Sequence, residues 1–282
     1  MGKVAIVTDS TGFIPQDIVK QYHISVAPQI LIWGEETFQD GIDIQPTEFY
    51  QRLSNSTVIP TTAQVTIVSF QEIFTSLLDQ DYDILAILVS NELSGTIDSA
   101  IQARELVGNG KIEIIDSRTI SMALGFQVIE TAKAAANGAS LEECIALVES
   151  MKENVGIIFA VDTLKFLHRG GRIGGGSRFL GTALKIKPIL EVANGRIEAV
   201  ERVRTRKKSW IRMIEIVEER TNGQSPIYLA ALHANAKLDA EQLVSLVSNR
   251  INSNETVISD LSPIVGTHVG PGTIGLAYLY GI

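Results

Sequence analysis

Residues 83 to 90, DILAILVS, form an apolar run too short for a core helix and without the alternation of a strand that has one wet face. Such a run suits a strand buried on both faces, inside a parallel sheet covered by helices. A helical pattern, SGTIDSAIQARELVG, follows it directly. The same rhythm runs through the first half of the chain. KVAIVTD leads through DSTG (9–12) into IPQDIVKQYH, and KIEIIDS leads into two helical patterns, MALGFQVIETAKAAANG and SLEECIALVESMKEN. Between them, ISVAPQILIWG reads as one strand and PTEFYQRLSN as a helix with proline in its first turn. TVIPTTAQVT reads as a turn and TIVSFQEIFTSLLDQ as a helix. This alternation predicts an α/β fold whose first domain, residues 1–156, is a doubly wound, mainly parallel sheet.

After residue 156 the pattern changes. GIIFAV is a strand entering the glycine-dense stretch FLHRGGRIGGGSRFLG. KIKPILEVANGRIEAVERVRT is a predicted hairpin, because Asn194-Gly195 suits a tight type I′ turn. RKKSWIRMIEIVEER and LDAEQLVSLVSNRI are predicted helices around the strand PIYLAALHA. VISDLSPIVGTHVGPGTIGLAYLYG reads as two strands around a Gly/Pro bend. Residues 157–282 are therefore expected to form an α+β domain with a mixed or antiparallel sheet.

Charge and composition narrow the functional classes. A net charge of −8 argues against a general nucleic-acid surface and against anionic lipid headgroups. The lone cysteine, Cys144, excludes an intrachain disulfide and is expected to be a buried helix residue, which fits a reducing cytoplasm. MGKVAIVTDSTG opens into a strand without a signal-peptide apolar region, and no apolar run has a membrane-spanning length, so a cytoplasmic location is expected. The mean hydropathy of +0.18 hints at extra buried apolar surface. HExxH, CxxC, GxSxG and the P-loop spacing are absent, so no metal, redox or esterase signature is present. GPGTIG, Gly270 to Gly275, matches a dinucleotide fingerprint formally but has no room for a βαβ unit after it.

Polar loops remain at the carboxyl ends of the predicted strands, where open sheets bind ligands. DSTG (9–12), PTTAQ (60–64), SNELSGT (90–96) and DSRTISMALG (116–125) are rich in small hydroxyls and hold no lysine, histidine or cysteine. The hydroxyls of Thr62 and Ser94, with backbone N–H groups at the helix start after Ser94, could bind a carboxylate or phosphate. The same residues would serve equally as helix caps and turn anchors. The second half supplies cations: Arg169 and Arg172 in HRGGR, and ERVRTRKK with Arg202, Arg204, Arg206, Lys207 and Lys208. His268 lies in THVGPG, read as a bend facing a cleft, while His23, His168 and His233 have no such setting.

Taken in order, DSTGFIP, PTTAQ, SNELSGTIDSA, IDSRTISMALG, LKFLHRGGRI, LKIKPIL, RVRTRKK and THVGPG resemble the DegV family over essentially the whole chain. The resemblance implies a two-domain bacterial protein that is not an enzyme. It would hold one long-chain fatty acid, such as palmitate, in a tunnel between or beside the domains, without a cofactor or metal. It further implies that some members carry the lipid for an ATP-dependent fatty-acid kinase, which phosphorylates the bound carboxylate. By the resemblance Thr62 and Ser94 bind the carboxylate, with Gly95 and Thr96 beside them. Arg172, Arg204 and His268 fall near the carboxylate or the kinase-facing mouth. Two positions depart from the family: Ala63-Gln64-Val65 replaces its usual Ser-Gln-Pro, and Asn91 stands where serine or threonine is common. The alternative is a phosphoryl- or acyl-transfer enzyme using His268 as acid/base with Arg172 or Arg204, which requires a reacting hydroxyl close to His268. A sugar- or nucleotide-binding module on the same sheet edge would need a wide polar pocket instead.

Overall fold

A computed structural model describes residues 3–180, 186–225 and 228–281. Leu184 and Lys185, which open LKIKPIL, and Pro226, which opens the predicted strand PIYLAALHA, lie outside the described residues. The first half runs β1 (Lys3–Asp9), α1 (Gln16–Gln21), β2 (Ser25–Ala27), β3 (Ile30–Trp33), β4 (Glu36–Gln39), α2 (Pro46–Asn55), β5 (Thr61–Ala63), α3 (Ile67–Leu78), β6 (Tyr82–Leu88), α4 (Thr96–Val107), β7 (Ile112–Asp116), α5 (Ser121–Ala136) and α6 (Leu141–Met151). The second runs β8 (Val155–Ala160), α7 (Lys165–Arg169), β9 (Lys187–Ala193), β10 (Arg196–Val203), α8 (Arg206–Arg220), β11 (Tyr228–His233), α9 (Lys237–Val247), β12 (Glu255–Asp260), α10 (Pro263–Val269) and β13 (Ile274–Leu279).

The α/β fold has the expected parallel sheet, ordered β2-β1-β6-β7. Ile84 to Val89 of the opening run are fully buried, as helices on both faces require. The second half forms a mixed sheet, β10-β9-β8-β13-β11-β12. Its hairpin turns at Asn194 (φ 50°) and Gly195 (φ 81°), the left-handed pair that a type I′ turn requires. Cys144 is buried on α6.

Several details differ from the sequence reading, the helix α7 beside the glycine-dense stretch and the strand β4 among them. ISVAPQILIWG is two strands, because Pro28 offers no N–H to a ladder and fixes its own φ. β2 pairs with β1, whereas β3 turns away into a separate antiparallel sheet, β4-β3-β5. Within TVIPTTAQVT, Thr61–Ala63 is a strand, recruited by β3 with Leu31 opposite Thr62. THVGPG is not a bend between adjacent strands: His268 sits in the last turn of α10, and β12 and β13 flank β11 on opposite sides. The signals for α10 are local. Ser262 caps it by accepting from the Val265 N–H at 3.3 Å, Pro263 occupies its first turn, and Gly270 ends it at φ 78°.

The two halves share one apolar cluster, from Ile6 to Leu279. The β9–β10 turn docks on the loop after β6. Ser90 donates through Oγ to the Gly195 carbonyl at 2.9 Å, and Arg196 pairs with Glu92. A Cβ on Gly195 would stand 2.3 Å from the Ser90 hydroxyl oxygen, so this glycine is needed for its φ and for the contact. Gly195→Val should therefore lower stability by about 2 kcal/mol. Urea unfolding monitored by circular dichroism checks this, and a loss below about 0.5 kcal/mol would mean the turn is not held against Ser90.

Candidate functional site

Where the carboxyl ends of β1 and β6 face the mixed sheet, the packing leaves a cavity of about 410 Å³. Its walls are mostly aliphatic and aromatic. β8 contributes Ile157 and Phe159, β11 contributes Leu232, and α10 contributes Ile264, Val265 and Val269. Their inward direction follows from strand alternation: Ile157 and Phe159 point to one face while Ile158 packs in a different cluster behind the sheet.

Polar residues interrupt this wall. Thr62, Ser94, Gly95, Arg172 and His268 all line the cavity. Thr96 stands behind Ser94, fully buried, with 2.9 Å between the two hydroxyl oxygens. Gly95 is the N-cap residue of the twelve-residue helix α4, so the first N–H groups of that helix and the positive end of its dipole meet the cavity edge. A side chain at Gly95 would collide with Gln64, whose amide oxygen lies 2.3 Å from the Cβ position. Arg204 is not part of this group: it is exposed just before α8 and does not line the cavity. The rest of the basic cluster is divided too, since Arg206 is held by Asp239 at 3.0 Å and by the Gly272 carbonyl.

Thr62 Oγ1 and His268 Nε2 are 2.8 Å apart, joining residues 206 positions apart in the chain. Burial, and secondarily the charge of Arg172, pushes the His268 pKa down to about 4, so the ring is neutral at pH 7. Its Nδ1 is buried without a hydrogen-bond partner, against Gly170, where a Cβ would come within 2.2 Å. Leaving a bare acceptor there, with the proton on Nε2, lets His268 donate to Thr62 and frees the Thr62 O–H for a ligand. Arg172 is already engaged, its Nε donating to the Leu93 carbonyl at 3.1 Å and its Nη1 to that of Gly170 at 2.7 Å. Beyond this group lies a second cavity of about 240 Å³, lined by Pro60, Thr61, Phe166, Arg169, Arg172 and Thr267 as well as by Thr62 and His268. The Thr62–His268 pair thus borders both an apolar chamber and a smaller, arginine-bearing one.

The transfer-enzyme alternative asked for a hydroxyl near His268, and Thr62 is that near. A general base is normally oriented by a third group. Nothing among the described residues pairs with Nδ1.

Two buried carboxylates flank the site. Burial pushes Asp9 above the ordinary carboxylate range, opposed by donors from Thr11, Val89 and Gln29. Burial also raises Asp40 to about 7, against the Ser10 hydroxyl that donates to its Oδ2 at 2.7 Å. Asp40 carries no local sequence signal, and Gln29 lies within ISVAPQILIWG, which reads as one strand. The signal that could have exposed Gln29 was Pro28 beside it.

The model of the DegV family, described as an uncharacterised protein family, matches residues 3–281. The chain belongs to the DegV family. Protein DegV of Bacillus subtilis (strain 168) is 34% identical over 279 residues, 98% of this chain and 99% of that protein. Among solved DegV structures, a fatty-acid-binding family protein from Thermus thermophilus superposes with a TM-score of 0.93 at 30% identity, covering 99% of this chain and 100% of that one. The structure of DegV from Bacillus subtilis, described as a fatty acid binding protein, superposes with a TM-score of 0.90 at 32% identity, covering both chains fully. The expected fold is thus the DegV fold. Among the described residues no helix is long and apolar enough to cross a membrane, and no cluster of acidic, histidine or cysteine side chains could hold a metal.

The depressed His268 pKa gives a pH dependence with a defined sign. Between about pH 6.5 and pH 4 the unfolded chain protonates this histidine and the folded chain does not, so its contribution to stability falls as pH falls through that window. Asp40 acts oppositely there, since its raised pKa makes the folded state the better proton acceptor. Comparison with His268→Asn isolates the first effect. From pH 7 to pH 4.5 the native protein should lose about 2 kcal/mol relative to that variant in urea unfolding, and equal losses would place His268 in a wetter setting.

Proposed function

We propose that this chain holds one long-chain fatty acid, palmitate being a representative, with its tail in the 410 Å³ cavity and its carboxylate at the Thr62–Ser94 end. The observation that carries this reading is a largely apolar chamber whose wall carries Thr62, Ser94 and the start of α4, in a chain whose solved relatives are described as fatty-acid-binding. The volume lies within the usual range for small-molecule sites, roughly 300–1,000 Å³. Each methylene buried contributes about 0.8 kcal/mol, so a dozen contribute on the order of 10 kcal/mol gross, against about 1 kcal/mol for an ordinary hydrogen bond. The tail supplies most of the affinity, and Thr62, Ser94 and the N–H groups following Gly95 decide which end faces out.

In this reading the protein is a non-catalytic carrier in the cytoplasm, requiring no cofactor or metal, with residues 1–156 providing the headgroup loops and 157–282 the tunnel wall and basic patch. It presents the carboxylate to an ATP-dependent fatty-acid kinase. Two features support a presenting role. Hydroxyls hold a carboxylate without quenching its nucleophilicity as a buried bidentate arginine would, and the smaller cavity beside Arg169 and Arg172 reaches the head end from the other side. Arg204, exposed on the same half of the chain, is assigned to the partner's docking surface.

Native mass spectrometry of the purified protein should find one fatty acid per chain, and a chain that stays empty after exposure to palmitate and oleate would sink the proposal. Thr62→Val and Ser94→Ala should each weaken fatty-acid binding about tenfold, by loss of a charge-assisted hydrogen bond, while leaving the urea midpoint nearly unmoved. The isolated chain should not hydrolyse ATP or acyl esters; turnover lost in His268→Asn would instead favour the transfer enzyme suggested by the Thr62–His268 contact.

A further inference from the structure

The cavity is not apolar throughout its length away from the headgroup end. Gln29 lines it and is only 3% exposed. Its Nε2 donates to Asp9 Oδ1 at 3.3 Å. That contact fixes which way the amide points, because a carboxylate ringed by donors selects the nitrogen side. The backbone N–H of Thr11 at 3.0 Å and its hydroxyl at 2.6 Å reach the same carboxylate oxygen. The amide oxygen of Gln29 is therefore turned away from Asp9, and no donor among the described residues reaches it. Thr11, also in the cavity wall, has spent its only O–H on Asp9 and shows the cavity its lone pairs. Two acceptors with no donor between them thus stand in the wall.

Their position follows from the ladder. Gln29 is two residues from Leu31, the register partner of Thr62, which is about 7 Å along the strand from the level of the headgroup hydroxyls. A plain acyl chain lying past this point strips water from an amide oxygen and returns no hydrogen bond. A chain with its own donor there satisfies that acceptor. We propose that the ligand class preferred by this protein is a fatty acid carrying a hydroxyl on its chain, near the carboxylate end, recognised by Gln29 Oε1 with Thr11 beside it. This rests on the fatty-acid reading of the cavity and adds the chain chemistry to it. Asp9 acts as a positioning residue, holding both acceptors in place without touching the ligand.

The experiment is competition binding to the delipidated full-length protein with hexadecanoate, 6-hydroxyhexadecanoate, octadecanoate and 12-hydroxyoctadecanoate, repeated with Gln29→Leu. The native protein should bind 6-hydroxyhexadecanoate about tenfold more tightly than hexadecanoate, and 12-hydroxyoctadecanoate no more tightly than octadecanoate. In Gln29→Leu the first ratio should fall to one or below, because the leucine rewards the plain chain and strands the hydroxyl. If 6-hydroxyhexadecanoate does not bind the native protein more tightly than hexadecanoate, or the preference survives in Gln29→Leu, the hydroxyl proposal is overturned while the fatty-acid reading stands. If none of the four acids binds, the fatty-acid reading itself fails. The native-protein comparison decides the matter even where the variant is poorly folded.

Discussion

A neutral histidine held against a threonine hydroxyl, across the join between the two halves of the chain, is the contact on which the site depends. Thr62 comes from a three-residue strand that exists only because β3 recruits it, and His268 from a two-turn helix wedged before the last strand. Each element is too short to be stable alone. Their joint position is set by what lies around them: the shared apolar cluster, the Arg172 guanidinium bridging the Leu93 and Gly170 carbonyls, and the Ser90–Gly195 contact. Because Gly170 presents no side chain to the imidazole, the ring packs closely and loses water. That desolvation keeps it uncharged, so the two short elements meet through a neutral hydrogen bond at the cavity wall.

Buried acids on the other side of β1 follow the same logic with opposite sign. Burial raises both: Asp9 has four donors opposing the rise, while Asp40, raised to about 7, has one close donor, an unpartnered Oδ1 and the charge of Asp9 nearby. The Ser262 hydroxyl and Ile264 N–H at the start of α10 lie close enough to Asp40 to lower its pKa somewhat, without making hydrogen bonds of normal geometry. The helix carrying His268 therefore has a carboxyl near its first turn and the Thr62 contact at its last. Folding these groups into a dry interior leaves acid stability dependent on terms that oppose one another between pH 4 and pH 6.5.

Much of this was legible in the sequence. The unbroken run DILAILVS implied a covered parallel sheet, Asn194-Gly195 implied the hairpin, and the hydroxyl-rich PTTAQ and SNELSGT supply Thr62 and Ser94 to one cavity wall. What escaped were features set by partners distant in sequence. Thr61–Ala63 has the composition of a turn and becomes a strand only opposite Ile30–Ile32. Arg204 and Arg172 look equivalent as cations in the sequence, yet one is exposed and the other is locked to two carbonyls at the cavity edge. α10 is the exception. Its Ser-Pro start and glycine stop were written locally, and were overlooked because the Gly/Pro density after it suggested a bend.

In the proposed fatty-acid reading, burying a dozen methylenes in this largely apolar cavity contributes on the order of 10 kcal/mol gross. Since that gain is nearly the same for any tail of similar length, it cannot discriminate between ligands. In that reading, discrimination is left to the few polar atoms that an apolar chamber can least tolerate unpaired: the Thr62 and Ser94 hydroxyls and the Gln29 amide oxygen in its wall.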